Sequence, residues 1–214
     1  MTRIEAEALT ALPLFPLPSV VLFPEVLLPL HILEPRYRAM LSDILDGDGA
    51  LVIAQLDRDT GRLAEVAGIG VVVDHRPLPD GRSNIVVAGA ARVRLDELVV
   101  EDLPRYPYKR ARATRLAELD AVVPDGDRAA LVAAATMFVT EVKKHDPTFE
   151  FRMPAQPTAG ILADTCAFHL IVDATARQAI LEELDPRARV RMVMDQLALQ
   201  HGAMLSDAKG TVLN

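Results

Sequence analysis

A single cysteine, Cys166, among 214 residues leaves no internal disulfide framework and no multi-cysteine zinc or iron–sulfur site. No stretch approaches the roughly 18 uninterrupted apolar residues of a membrane span. The richest run, Val20 to Leu33, is broken by Pro24, Glu25, Pro29 and His31. The first residues carry Glu5 and Glu7 where a secretory signal needs a basic start and an apolar core, so the expected compartment is the cytoplasm. Glycine is sparse, at 11 residues, and its pairs Gly47/Gly49 and Gly68/Gly70 complete neither a P-loop nor a dinucleotide fingerprint. Serine occurs only at 19, 42, 83 and 206, never in a Gly-x-Ser-x-Gly setting, and a Ser–Lys dyad would have to draw on one of four lysines, Lys109, Lys143, Lys144 or Lys209. A net charge of −7 argues against a dedicated nucleic-acid binder, whose affinity comes largely from neutralising phosphate.

What is present is an ordinary folded composition, 50% hydrophobic and 25% charged. A chain of this length buries about 70% of its unfolded surface and needs no staples. Its character shifts near residue 120. Before it, short β-rich runs are split by turns: Val20–Phe23, Val26–Ile32, Ala50–Leu56, Glu65–Val73, Asn84–Val87, Ala90–Val100 and Lys109–Leu116. Pro24 and Pro29 mark the first two as edge or bulged strands, and Asp80-Gly81 marks a hairpin. Gly68, Gly70 and Gly89 fit bulges or barrel corners. One helix, Glu34–Leu45, is inserted, opened by Pro35 and stopped at Gly47. After residue 120, helical spacing predicts four helices: Asp125 to about Lys144, Thr158 to Ile171, Ala174 to Leu184, and Asp185-Pro186 to about Met204. The expected fold is α+β. A barrel-like strand domain with one inserted helix spans residues 10–117, and an α-helical bundle spans 124–205.

Few residues offer chemistry. Cys166, His169 and Asp173 share one helical face and are zinc ligand types, but Leu162, Cys166 and Leu170 form an apolar stripe and no fourth ligand is paired with them, so no metal is expected. Asp46-Gly-Asp48-Gly and Asp57-x-Asp59-x-Gly61 lack the calcium-loop glycine and bidentate glutamate and read as turns. Arg105 to Arg115 is the one basic, aromatic-bearing run. It reads as a solvated strand face, Arg110 and Arg112 alternating with Ala111 and Ala113, with single-stranded nucleic acid or a small ligand as the alternative. His31, in an apolar run, is expected to be a half-buried, hydrogen-bonded residue. A hydrolase using Ser83 or Cys166 with a distant histidine is the enzymatic alternative. No cofactor-binding residue is read anywhere in the chain.

The segments Leu12-Pro-Leu-Phe-Pro-Leu-Pro18, Val21-Leu-Phe-Pro24 and Leu28-Pro-Leu-His-Ile-Leu-Glu-Pro-Arg-Tyr-Arg-Ala-Met40 resemble the Lon N-terminal domain family, the substrate-recognition part of an ATP-dependent protease. Glu65–Gly70, Asp80–Ile85, Gly89-x-x-Arg92-x-Arg94, Tyr106–Ala113, Leu162–Asp164 and Arg177–Asp185 with Arg189 agree with it, over about residues 10–200. Two departures stand out. Glu25 replaces a usual glycine, which implies a different turn backbone, and Leu33 replaces a usual phenylalanine as a core change of similar volume. The resemblance further implies a free-standing bacterial member, because the chain stops at Asn214 before any ATPase or peptidase domain, and because the cysteines of the zinc-bearing thalidomide-binding module are missing. The proline-rich opening is read as extended backbone with the first strand at the sheet edge. The implied function is non-enzymatic binding of unfolded or partner polypeptide, linked to protein quality control or proteolysis, by a monomer or weak homodimer. The residues suggest where: Phe149, Phe151 and Met153 alternate with Glu150 and Arg152 in the long connection His145–Pro157. Edge strands near Pro18–Pro29 offer β-augmentation as a second mode.

Overall fold

The computed structural model describes residues 8–99 and 105–211. Among them run six strands and five helices, a mixed α+β architecture. The chain divides into two compact units, Met1–Ala117 and Glu118–Asn214.

The first unit holds β1 (Ala8–Leu17), β2 (Leu27–Ile32), α1 (Pro35–Asp46), β3 (Ala50–Gln55), β4 (Val66–Pro77), β5 (Ser83–Val99) and β6 (Lys109–Leu116). The sheet order is β2-β5-β4-β3-β1-β6, and β6 also pairs with β5. Hydrogen bonding therefore runs from β5 through β4, β3, β1 and β6 back to β5. The 17 residues of β5 make this possible. β2 occupies one edge of its first half, Ser83–Ala88, and β6 takes the second half, Arg92–Val99. The inward residues form a core of small and aliphatic side chains, among them Leu14, Val52, Ile69, Val93, Ala111 and Ala113.

The first strand is not at an edge, contrary to the reading of its prolines. β1 pairs with β3 in parallel over Leu14–Leu17 and with β6 antiparallel over Ala8–Leu14. The two ladders are offset, so among the described residues Pro13 has only β6 as a neighbour and Pro16 only β3. A donor-less nitrogen is tolerated where one side is open. A bulge between Leu9 and Leu12 puts Ala11 at φ 57°, and the Arg110 Nε–H donates to the Ala11 carbonyl at 3.1 Å.

Val20–Phe23 is a correction of another kind. It is coil, not strand, yet Val21, Leu22 and Phe23 are almost completely buried. The segment crosses so close to the sheet that a methyl group at Gly68 would strike the Leu22 carbonyl, and one at Gly89 the Phe23 carbonyl. Those glycines admit a second layer of backbone. Bulging is present as well: the β4–β5 register shifts between Ile69 and Gly70, leaving Ala90 as the extra residue, and Asn84–Val87 and Ala90–Val99 merge into one strand. Val100 lies outside the described residues.

At Glu25 the backbone keeps the left-handed conformation, φ 61°, that a glycine would adopt there. Its N–H donates to the Gly89 carbonyl at 3.0 Å, and the Gly89 N–H donates to the Val26 carbonyl at 2.9 Å. This is the bonding of a bulge whose first residue is ordinarily glycine. The expectation of a different turn is thus reversed: the turn is retained with a residue unsuited to it. Glu25→Gly should stabilise the unit by about 0.5–1 kcal/mol, left-handed strain relieved minus the extra unfolded-state freedom of glycine. A higher urea midpoint at unchanged slope is the check. Leu33, expected in the core, is 53% exposed.

α1 begins at Pro35 and closes at Gly47, whose N–H donates to the Ile44 carbonyl. It buries Tyr37, Met40, Leu41 and Ile44, with Tyr37 against Phe15 of β1 at 4.4 Å between ring centres.

In the second unit, α2 (Asp125–His145), α3 (Ala159–Leu170), α4 (Ala174–Glu182) and α5 (Pro186–Thr211) follow one another, and α5 packs on α2 and α3. Side chains cap the last three. Thr158 accepts from the Ile161 N–H and Asp173 from the Ala176 N–H, the oxygen acceptors that satisfy free first-turn donors. Asp185, before Pro186, accepts from the Arg187 N–H at 2.8 Å. Leu131, Ala135 and Phe138 of α2 are buried, as helical spacing predicts. Among the described residues, no helix is long and apolar enough to cross a membrane.

Candidate functional site

The connection between α2 and α3 has no regular structure and is shaped by its own side chains. The Asp146 carboxylate accepts from the Thr148 hydroxyl and N–H, which holds its pKa below the ordinary range for aspartate. Gln156 is left-handed, φ 52°, just before the α3 cap. Between them the side chains alternate. Phe149 and Phe151 are half-buried, Glu150 and Arg152 point to solvent and pair at 3.4 Å, and Met153 is 36% exposed. The Phe151 ring meets His169 of α3 edge-on at 5.9 Å, and His169 also meets Phe168 at 4.8 Å. Partial burial lowers the His169 pKa, so its imidazole is neutral at pH 7. Phe151 is thus partly engaged inside the helical unit. The pairing of Phe151 with His169 was not visible in the sequence, because the two lie on different elements.

The three residues weighed as metal ligands have separate roles. Cys166 is fully buried, and burial pushes its thiol up to about 12, far from thiolate at neutral pH. Asp173 caps α4. Among the described residues, no three His, Cys, Asp or Glu side chains converge as a metal site.

In the basic strand, Ala111 and Ala113 are in the core and Arg112 is outside. Arg110 lies over the Tyr106 ring at 4.1 Å while bracing the Ala11 bulge, a structural use of its charge. Tyr108, 7% exposed, donates its hydroxyl to Asp43 at 2.5 Å; burial first, then this bond, raises its pKa well above the usual tyrosine value. His31 is exposed rather than half-buried, its Nδ1 2.6 Å from Asn84 Oδ1 across the β2–β5 ladder. Ser83 does have a histidine beside it, His75 Nε2 at 3.1 Å. The pair spans the β4–β5 hairpin, Ser83 is only 8% exposed, and among the described residues no carboxylate bonds His75 to orient it.

One constellation carried no local signal. Arg189 of α5 is completely buried. Its Nη1 donates to the Glu183 carbonyl at 2.9 Å, its Nη2 to the Glu118 carboxylate, and its Nε faces Asp164 of α3 at 3.3 Å. The segment after Ala117 is tied down there and by the Leu119 N–H donating to the Leu184 carbonyl. Beside it lies an open cleft of about 480 Å³ lined by Glu118, Asp120, Asp125, Arg128, the start of α3 and Pro186.

Residues 11–198 match the family of the ATP-dependent protease La (LON) substrate-binding domain. The chain belongs to that family. Among curated relatives, the Lon protease of Roseiflexus castenholzii is 29% identical over 195 residues, 87% of this chain and 24% of the relative. That of Trichlorobacter lovleyi is 26% identical, over 89% of this chain and 24% of the relative. The chain therefore spans about a quarter of the length of these Lon proteases. Two solved structures share the Lon N-terminal fold. A Lon N-terminal domain protein from Xanthomonas campestris superposes with a TM-score of 0.65 at 19% identity, covering 87% of this chain and 98% of that one. The N-terminal domain of the Mycobacterium avium complex Lon protease gives 0.62 at 17% identity, covering 88% and 98%.

Proposed function

We infer that this chain is a non-enzymatic module that holds unfolded or partner polypeptide, in the service of protein quality control or proteolysis in the cytoplasm. The observation that carries the reading is the match of residues 11–198 to a substrate-binding family. The frame is a barrel-like strand domain, residues 10–117, followed by a helical bundle, residues 124–205. The strand circuit that returns to β5 and the packing of α2 and α3 on α5 support it.

Phe149, Phe151 and Met153 take the apolar side chains of the bound polypeptide. Support comes from their placement opposite Glu150 and Arg152 and from the irregular segment that carries them. An exposed thioether beside two half-exposed rings suits partners of varied sequence. The test is a titration of a reduced, carboxymethylated model protein, unfolded at neutral pH, against wild type and Phe149→Ala/Phe151→Ala. Wild type should bind at a Kd on the order of micromolar, with little dependence on salt because apolar contact drives it. The folded double variant should bind at least about fivefold more weakly, one lost aromatic contact or more. Equal affinity moves the site elsewhere, and no binding by wild type removes the reading.

A further inference from the structure

We propose that the open edge of β2, Leu27–Ile32, accepts an extended segment of another polypeptide as an added strand. The inference rests on the polypeptide-binding reading above but not on the loop between α2 and α3. β2 ends the sheet order and, among the described residues, pairs only with β5. Residues of an antiparallel strand alternate between those that bond their neighbour and those that face away. The phase is fixed at the start of the strand, where the Val26 carbonyl accepts from Gly89. Leu28, Leu30 and Ile32 then address β5, and Leu27, Pro29 and His31 present their backbone groups outward. The outward residues are all exposed, Leu27 at 59%.

The edge so defined has a distinct pattern. Leu27 and His31 offer an N–H and a carbonyl each, about 13 Å apart at the usual strand rise. Pro29, midway, offers a carbonyl alone. Proline at this place does not weaken β2 itself, because its missing donor faces away from β5. What it does is limit pairing by other chains, the ordinary protection of an edge. Two donors and three acceptors remain, enough for a loose, sequence-tolerant backbone clasp. Leu27 at one end and Leu33 at the other, both exposed, give apolar side chains against which the incoming strand lies. An extended polypeptide fits this array, and a helix, whose backbone groups are bonded internally, does not.

The probe is a fluorescein-labelled ten-residue peptide of alternating Leu, Thr and Val, with two analogues N-methylated at every second residue in opposite phases. Methylation removes the donors of one peptide edge and leaves the side chains in place. Wild type should bind the parent peptide and prefer it over the analogue methylated on the bonding edge by at least about tenfold. Leu27→Pro/His31→Pro removes the outward donors, keeps the backbone bonds to β5 and loses the His31–Asn84 side-chain contact, for which His31→Ala is the control, and should weaken binding by about tenfold. Pro29→Val restores the middle donor and should tighten it about three- to tenfold. Bound peptide should slow amide exchange at Leu27 and His31 in wild type. Equal affinity for all three peptides overturns the proposal even where a variant folds poorly, since that comparison uses wild type alone. Loss of binding in Phe149→Ala/Phe151→Ala with no effect of the edge variants or of methylation overturns the edge and leaves the loop. The converse overturns the loop and supports the edge. Concentration-dependent dimers that vanish in Leu27→Pro/His31→Pro, with no peptide binding, would assign the edge to a second copy of this chain and overturn the proposal.

Discussion

Replacing Gly89 with alanine is expected to cost the strand unit at least about 3 kcal/mol, and Gly68→Ala to do the same. The reason is backbone meeting backbone. Val21, Leu22 and Phe23 lie across β4 and β5 so closely that the new methyl groups fall on the carbonyl oxygens of Phe23 and Leu22. A flexible side chain would swing aside, but a carbonyl moves only with its chain, and this chain is anchored. Leu22 and Phe23 are fully buried, and Glu25 and Val26 are bonded to Gly89 itself. Gly47→Ala is the control, since its methyl meets the Asp43 carbonyl no closer than 3.4 Å. All three tyrosines, Tyr37, Tyr106 and Tyr108, belong to the strand unit, and the chain has no tryptophan. Tyrosine near-ultraviolet dichroism in urea therefore reports this unit alone. A Gly89→Ala midpoint within error of wild type would show that the segment over the sheet yields, and the account of its burial would fail.

How legible this fold was depended on whether the signal was local. α1 and the four later helices were readable because their ends are written in adjacent residues: Pro35 and Gly47, Thr158, Asp173, and Asp185 with Pro186. Even so, α5 runs to Thr211, past the expected stop near Met204, because Gly202 sits in helix without ending it. β1 was misplaced because proline carries a local meaning, edge, that the offset of two ladders cancels. Val20–Phe23 was misread because an apolar β-branched run has the same composition whether it joins a ladder or lies across one. The glycines that decide between these outcomes are more than 40 residues downstream. At the candidate site the alternation of Phe149, Phe151 and Met153 with charged residues was readable, whereas the contact of Phe151 with His169 was not. Likewise, no pattern near Glu118, Asp164 or Arg189 announces that they meet.

That meeting supplies the second large effect. Arg189→Met is expected to destabilise the helical unit by about 3–5 kcal/mol, the usual consequence of removing one member of a buried ion pair. Asp164 is 2% exposed and loses the cation at 3.3 Å; the Glu183 carbonyl loses a donor. Glu118 is different. Its side chain is 44% exposed, so water takes over, and Glu118→Gln should cost no more than about 1 kcal/mol. Gly160 completes the arrangement, because a methyl there would press into the Arg189 Nη2 position. The order Arg189→Met well above Glu118→Gln is the discriminating result, and Arg189→Met/Asp164→Leu should recover part of the loss by replacing the buried carboxylate as well. The readout is built into the chain. Cys166 shares α3 with Asp164, is the sole thiol and is inert while buried, its pKa pushed up to about 12. Labelling by a thiol reagent then measures opening of the helical unit. Arg189→Met with unchanged Cys166 labelling would mean that the buried guanidinium contributes nothing its methionine replacement does not.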